Sequence, residues 1–467
     1  MAPLSLARAL SAALCLLGCA QPLLAADNPL EQSRPSRPGA PRWSEDYRFL
    51  DHEAKRTDPF DRFRYVRLSD SAWAQFGAEL RYRADALDKP FFGLRGVNDD
   101  SYFMQRLQAH ADLHLLDDAV RAFVQLQNTR VFGKDLYSPS DEGRNEVSQA
   151  FIDLNTQLGA SRLTTRVGRQ EMAYGSQVLV TYRDTPNVRQ TFDGLRLSLA
   201  LAPGRKLDAF AVRPVAVDAA DSFDDGSDNA VKFYGLYATS PVAGPLNADL
   251  YAFGLETRER TLTAVTGSEK RYSVGTRLFG QADGFDWSTD LVGQFGHLGG
   301  ASIRAWAVSS DTGYTFDGPL RPRLGLRVDA ASGDDAAGDG RVGTFDPLYP
   351  RNGVYGEASL TTLANIVIVG PTFAFSPHPR LRLEPGVFAV WKENPHDGVY
   401  RPGMSMLPGT RDSGRHLGTI YRANLRWLAS ANTTFDLDCK YYDVGSAITD
   451  AGGEDASFVA LRGTFRF

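Results

Sequence analysis

From Trp73 to the last residue, apolar and polar side chains exchange places at every second position, in one stretch after another. "AQFGAELRYRA" sets Ala74, Phe76, Ala78, Leu80 and Tyr82 on one face and Glu79, Arg81 and Arg83 on the other. "RPRLGLRVDA" opposes Leu324, Leu326 and Val328 to Arg321, Arg323, Arg327 and Asp329. "IYRANLRWLA", "FDLDCKYYD" and the terminal "FVALRGTFRF" repeat the scheme. Successive residues of a strand point to opposite faces, and no stripe of helical period competes over these windows. About eighteen such segments can be counted, from 73–86 to 456–467, each roughly ten residues or longer, the length a tilted strand needs to cross a bilayer.

The rest of the chain narrows what those strands can build. Arg8, the apolar "ALSAALCLLGCA" and the small residues Ala25 and Ala26 form a secretory leader. Leu16-Leu17-Gly18-Cys19 also fits a lipobox, so cleavage with lipidation at Cys19 stays open. Beyond residue 26 no apolar run approaches the roughly 20 residues of a spanning helix. A strand edge exposed to lipid would leave backbone donors and acceptors unpaired, which only a closed barrel avoids. The expected fold is therefore all-β: a closed antiparallel transmembrane β-barrel of about 18 strands over residues 71–467. A signal peptide (1–26) and a Pro- and charge-rich periplasmic extension (27–70) precede it. A soluble periplasmic β-protein such as a propeller is the alternative, but no repeat of about 40 residues is visible.

The connections alternate in length. Asp117-Asp118, Gly159-Ala160, Pro203-Gly204, 317–319 and 430–432 are short, whereas 87–101, 132–145, 173–190, 217–229, 332–360 and 393–416 are long. Outer-membrane barrels have short periplasmic turns and long outer loops. Residues 298–300 depart from this order, giving a very short outer connection.

Charge is divided between wall and loops. The chain carries a formal net charge of -5, which argues against a nucleic-acid partner. Yet on the polar faces of the strands bases outnumber acids, and excess acid sits in loops such as "DAADSFDDGSDN". The expected pore-lining set is Arg81, Arg83, Arg106, Arg166, Arg196, Arg277, Arg321, Arg323, Arg327, Arg422, Arg426 and Arg462. A low-dielectric wall of one sign concentrates counter-ions, and arginine pairs bidentately with carboxylates. An anion-selective lumen is one reading; the other is a ladder of wall-to-wall ion pairs in a generic diffusion porin. No metal cluster, nucleotide loop or nucleophile elbow stands out, so no cofactor and no catalytic residue are expected. A barrel-embedded enzyme stays as a third class.

Two stretches carry a resemblance. "EDYRFLDHEAKRTDPFDRFRYVRL" with "FGAELRYR", and "VGRQEMAYGSQVLVTYRDTPNVRQTFDGLRL" (Val167 to Leu197), resemble the alginate-export family of outer-membrane porins. The matching residues of the second are Gly168–Glu171, Tyr174-Gly175, Arg183-Asp184, Asn187-Val188-Arg189 and Phe192-Asp193-Gly194. The resemblance implies a monomeric barrel of 18 strands in the outer membrane of a Gram-negative bacterium, with an arginine-rich constriction passing an anionic polysaccharide or a small carboxylated solute. Outer-membrane lipid, lipopolysaccharide and the barrel-assembly machinery, which reads the terminal aromatic Phe467, are the implied partners. The motif loop, 173–190, is long enough to fold inward, where Arg183, Asp184, Asn187 and Arg189 would narrow the pore. An ordinary ion-paired outer loop is the competing expectation.

Overall fold

The computed structural model of the protein describes residues 40–351 and 357–467. The leader and the first part of the extension lie outside the described residues. Eighteen strands form the wall: β1 (Ala72–Asp88), β2 (Asp99–Leu115), β3 (Val120–Phe132), β4 (Gly143–Leu158), β5 (Ser161–Gln170), β6 (Phe192–Ala202), β7 (Arg205–Ala216), β8 (Val231–Ala243) and β9 (Leu246–Leu262), followed by β10 (Val265–Ala282), β11 (Phe285–Leu298), β12 (Ala301–Thr315), β13 (Arg323–Ala331), β14 (Ile366–His378), β15 (Leu381–Trp391), β16 (His416–Leu428), β17 (Thr433–Val444) and β18 (Ala456–Arg466). Each is antiparallel to the next. β18 returns to β1 in a register running from Glu79↔Arg466 to Asp88↔Ser457, so the sheet has no open edge.

The two ends differ as the turn residues predict. Tight connections such as Gly159-Ala160, Pro203-Gly204 and Asp283-Gly284 gather at one end, and the long segments 171–191, 332–365 and 392–415 gather at the other. At the long-loop end, two connections are tight as well. Residues 299–300 are short, as read from the sequence, and 263–264 replace an expected longer gap because β9 and β10 continue to Leu262 and Val265. The extra lengths of strand, "TRERTL" and "VTGSEK", are polar on both faces except at the tip, where Leu262 and Val265 pack into an apolar cluster with Leu298 and Ile303. These lengths lack the apolar face that a strand in hydrocarbon must carry.

Apolar residues do not all look outward. On β7, β8 and β9, Phe210, Phe233, Tyr237, Tyr251 and Phe253 are buried inside the barrel, while their neighbours Leu236 and Leu250 are exposed on its outer surface. This stretch of wall is apolar on both sides because it holds an inward-folded loop.

At the short-turn end, the described part of the extension enters the lumen. Trp43 lies beneath the guanidinium of Arg166, 4.3 Å from ring centroid to Cζ, and Arg121 donates to its carbonyl oxygen at 2.6 Å. Glu45 pairs with Arg466 of β18 at 3.0 Å, and Phe60 stacks on the terminal Phe467 at 4.6 Å. Residues Val66–Ser69 then pair with the start of β1.

Candidate functional site

The long connection between β5 and β6, residues 171–191, folds into the barrel. Its departure point is a pair of glycines facing each other across the ladder, Gly168↔Gly194. Both have positive φ (130° and 151°), and a Cβ on either would stand 2.8 Å from a backbone Cα of the adjacent strand. Only glycine permits this approach. Beyond it, Tyr174 stacks on Tyr237 at 4.7 Å and on Phe210 at 5.6 Å. Met172, Leu179, Val180 and Phe192 join that aromatic wall. On the opposite side Asn187 latches the loop down. Its side-chain amide donates to the carbonyls of Gln105 (3.0 Å), Arg130 (3.1 Å) and Asp141 (3.0 Å).

Asp184 is the electrostatic centre of the loop. Arg106 (2.7 Å), Arg189 (2.6 Å), Arg81 (3.5 Å) and Arg462 (3.7 Å) all reach its carboxylate. Burial pushes this carboxyl up, but the four guanidinium groups together hold it well below the usual carboxylate range. Burial likewise acts against Arg189, yet Asp184 and Glu171 raise its guanidinium well above the ordinary value. A second inward segment lies beside the first. Thr181 donates to the carbonyl of Tyr349, Tyr349 to that of Leu179, and Arg351 to that of Gln177, each at 2.9 Å. Its base is fixed by Asp346, which pairs with Arg260 at 2.5 Å and exchanges backbone hydrogen bonds with the Gln294 amide.

The first segment is held against β1–β3 and β18 as well as the aromatic wall of β7–β9, and the second against β9 and β11. The passage left beside them runs along β12–β18 and, at the long-loop end, β1 and β2. Four connected cavities trace it. A vestibule of about 350 Å³ at the long-loop end is walled by Phe91, Tyr102, Arg183, Glu357 and Arg401. A narrow space of about 230 Å³ follows, between Asp184, Arg351, Glu357, Arg426 and Arg462. Below it, spaces of about 280 and 270 Å³ share Arg351, Glu384 and Asn424.

The charges along this passage are not balanced. Glu357 is held by Arg462 (2.7 Å) and Arg83 (2.9 Å), Asp436 by Arg426 (2.6 Å), Glu384 by Arg382 (2.6 Å) and Asp311 by Arg323 (2.6 Å). Burial raises the Glu357 carboxyl, and Arg462 and Arg83 bring it down to about 2. Four arginines of the passage have no carboxylate within 4.0 Å among the described residues: Arg183, Arg351, Arg401 and Arg422. They are free positive charges facing the path.

The residues singled out from sequence fall into four groups. Arg81, Arg83 and Arg106 are almost wholly buried, at 1%, 2% and 1% exposure, under the inward loop they hold. Arg166, paired to Asp153 at 2.7 Å, and Arg196, paired to Asp208 at 2.6 Å, stand at the short-turn mouth beside Trp43. Arg277 and Arg323 tie strands together through Asp249 and Asp286. Arg327, Arg422, Arg426 and Arg462 line the passage. Arg321 is corrected: it lies exposed in the 316–322 turn, off the wall, because Pro322 has no N–H for the ladder and the strand starts at Arg323. Arg351, Arg401 and Glu357 were not singled out; they sit in loops with no period to expose them.

The family model described as alginate export matches residues 72–461. The chain belongs to the alginate-export family. This porin is an outer-membrane β-barrel channel. No curated relative matches it at a significant level. Solved porins share the fold at low identity. OccAB1 of Acinetobacter baumannii is 12% identical with a TM-score of 0.56, over 84% of this chain and 96% of that one. A BenF-like porin from Pseudomonas fluorescens Pf-5 is 10% identical at 0.56, over 84% and 99%. Pseudomonas aeruginosa OccK2 (OpdF), solved with glucuronate, is 13% identical at 0.55, over 84% and 96%.

Proposed function

We propose that the porin passes carboxylated anions, the uronates of an alginate-type polysaccharide or smaller carboxylated solutes, along the β12–β18 side of its lumen. The observation that carries this reading is the imbalance of the passage. Its carboxylates are ion-paired or, for Asp100, hydrogen-bonded to two backbone N–H groups, whereas Arg183, Arg351, Arg401 and Arg422 have no carboxylate partner among the described residues. Free guanidinium groups at successive depths in a low-dielectric wall favour anions and give each carboxylate a planar partner.

Family membership supports uronates as the cargo class. A barrel that closes within one chain supports a monomer, with lipid and lipopolysaccharide around it. No catalytic role belongs to this reading, and the leader and extension serve export and the periplasmic mouth. The structural-ladder reading is favoured for part of the wall by pairs such as Arg166–Asp153 and Arg196–Asp208. Those arginines brace the barrel and leave selection to the unpaired four.

Bilayer recordings of the reconstituted porin test the cargo. Polymannuronate and glucuronate should both reduce a chloride current, the polymer at lower concentration of uronate units. Absence of block by either overturns the carboxylate reading.

A further inference from the structure

The outer vestibule differs from the rest of the passage. Of the four cavities along the path, it is the one whose wall is more apolar than polar. Leu87, Phe91, Met104, Leu136 and Leu360 contribute carbon surface. Phe91 is held by an unusual turn: Lys89, Phe91 and Phe92 all have left-handed backbones, with φ of 52°, 56° and 58°. Such conformations are strained for residues bearing a side chain and persist where the surroundings demand them. Two cations flank its ring, Arg401 with Cζ at 3.9 Å and Arg95 with Cζ at 4.5 Å from the centroid.

The carboxylates of the vestibule are already engaged. Asp141 pairs with Lys134 at 2.7 Å, Glu357 with Arg83 and Arg462, and Asp100 accepts the backbone N–H groups of Asp135 and Leu136, each at 3.1 Å. Arg401, in contrast, has one hydrogen bond from Nε to the carbonyl of Ser359, at 3.2 Å. Burial, with Arg95 nearby, pulls its guanidinium down to about 10, the direction expected of a cation lacking its counter-ion. Arg183 across the cavity donates to the Leu348 carbonyl and likewise has no carboxylate among the described residues.

We propose that this vestibule is a binding site for a monocarboxylate with a planar apolar body, its carboxylate on Arg401 and its body against Phe91, Leu87 and Met104. The cavity, about 350 Å³, falls within the range of roughly 300–1,000 Å³ typical of small-ligand pockets. A uronate is a poorer fit, because its ring hydroxyls would face carbon and lose hydrogen bonds to water. This goes beyond the uronate reading and rests on it for the anion preference alone.

The test uses the full-length porin in planar bilayers, with benzoate or glucuronate added to both sides and chloride as current carrier. Benzoate should reach half-block at a concentration about tenfold below that of glucuronate, the effect of roughly 1.4 kcal/mol of extra apolar contact. Arg401→Gln should raise the benzoate value by about tenfold or more, since the charge-assisted hydrogen bonds to the carboxylate are lost. Arg401→Lys keeps the charge and should recover part of it. Phe91→Ala should weaken benzoate and leave the glucuronate value within a factor of about two. Heat-modifiable gel mobility checks that each variant is folded. Equal block by the two anions, with anion selectivity intact, overturns the vestibule site and spares the anion channel. Cation selectivity of the unmodified porin overturns both.

Discussion

Arg106 of β2 donates to Asp184 of the inward loop across 2.7 Å, and through that contact the barrel wall holds the element that narrows it. The same arginine also holds Glu79 of β1 at 2.8 Å, so wall and loop share one network. Removing the loop carboxylate strands buried charge. Asp184→Ala should destabilise the folded barrel by about 3–5 kcal/mol, as breaking a buried ion pair does. It should also enlarge single-channel conductance and sharpen anion preference, because Arg81, Arg106, Arg189 and Arg462 lose their common counter-charge. An unchanged conductance would mean that the loop is held by packing alone.

Asn187 supplies a second latch of a different kind. Its amide serves three backbone carbonyls on two strands and a loop. At about 1 kcal/mol per net hydrogen bond, Asn187→Ala should weaken the loop by about 2–3 kcal/mol and appear as flickering between conductance levels. Asn187→Asp should be worse than alanine, since an ionised carboxylate has no hydrogen to donate to three acceptors. Quiet, wild-type-like traces from the aspartate variant would contradict the latch.

The latch charges have a defined pH dependence. Burial raises the carboxyls of Asp184 and Glu357, but the surrounding arginines leave both below their unfolded values, Glu357 at about 2 against an ordinary 4.5. A carboxyl depressed in the folded state contributes stability that is fully present above its unfolded value and is lost as pH falls through its folded value. Conductance and loop protection from protease should therefore stay level between about pH 8 and about pH 5, and fail only in strong acid, approaching about pH 2. A transition near neutrality would show that other groups hold the loop.

Inside β7–β9, Phe233 is fully buried in the aromatic cluster that receives Tyr174. Phe233→Ala should cost about 3–5 kcal/mol, in the range of buried phenylalanine truncations. Leu236→Ala, three residues along and 54% exposed on the outer surface, should cost far less. Comparable losses from the two would contradict the assignment of faces.

Much of this architecture is legible in the sequence because one physical constraint repeats. Hydrocarbon outside and water inside impose a two-residue period, so a strand such as Tyr421 to Trp427 declares itself. The inward loop is legible in its motif: Gly168, Tyr174, Asp184, Asn187, Arg189 and Gly194 are the residues that bend it, seat it and latch it. Where polar residues fill both faces, as at Arg258 to Thr261, the period fades and the strand end is lost. Where carbon lies on both faces, as at Phe233 and Leu236, the period survives but does not say which face looks inward. Arg351 and Arg401 are hidden for another reason. Their importance comes from what is absent around them, a carboxylate, and only three-dimensional neighbours reveal that.

The central claim is that unpaired arginines make the passage favour anions. The most direct measurement is the reversal potential across a potassium chloride gradient, for the unmodified porin and for the double substitution Arg351→Glu with Arg422→Glu. The account predicts a potential on the chloride side for the porin and a shift toward potassium for the double variant. A potassium preference in the unmodified porin, or a chloride preference indifferent to both charge reversals, would contradict it.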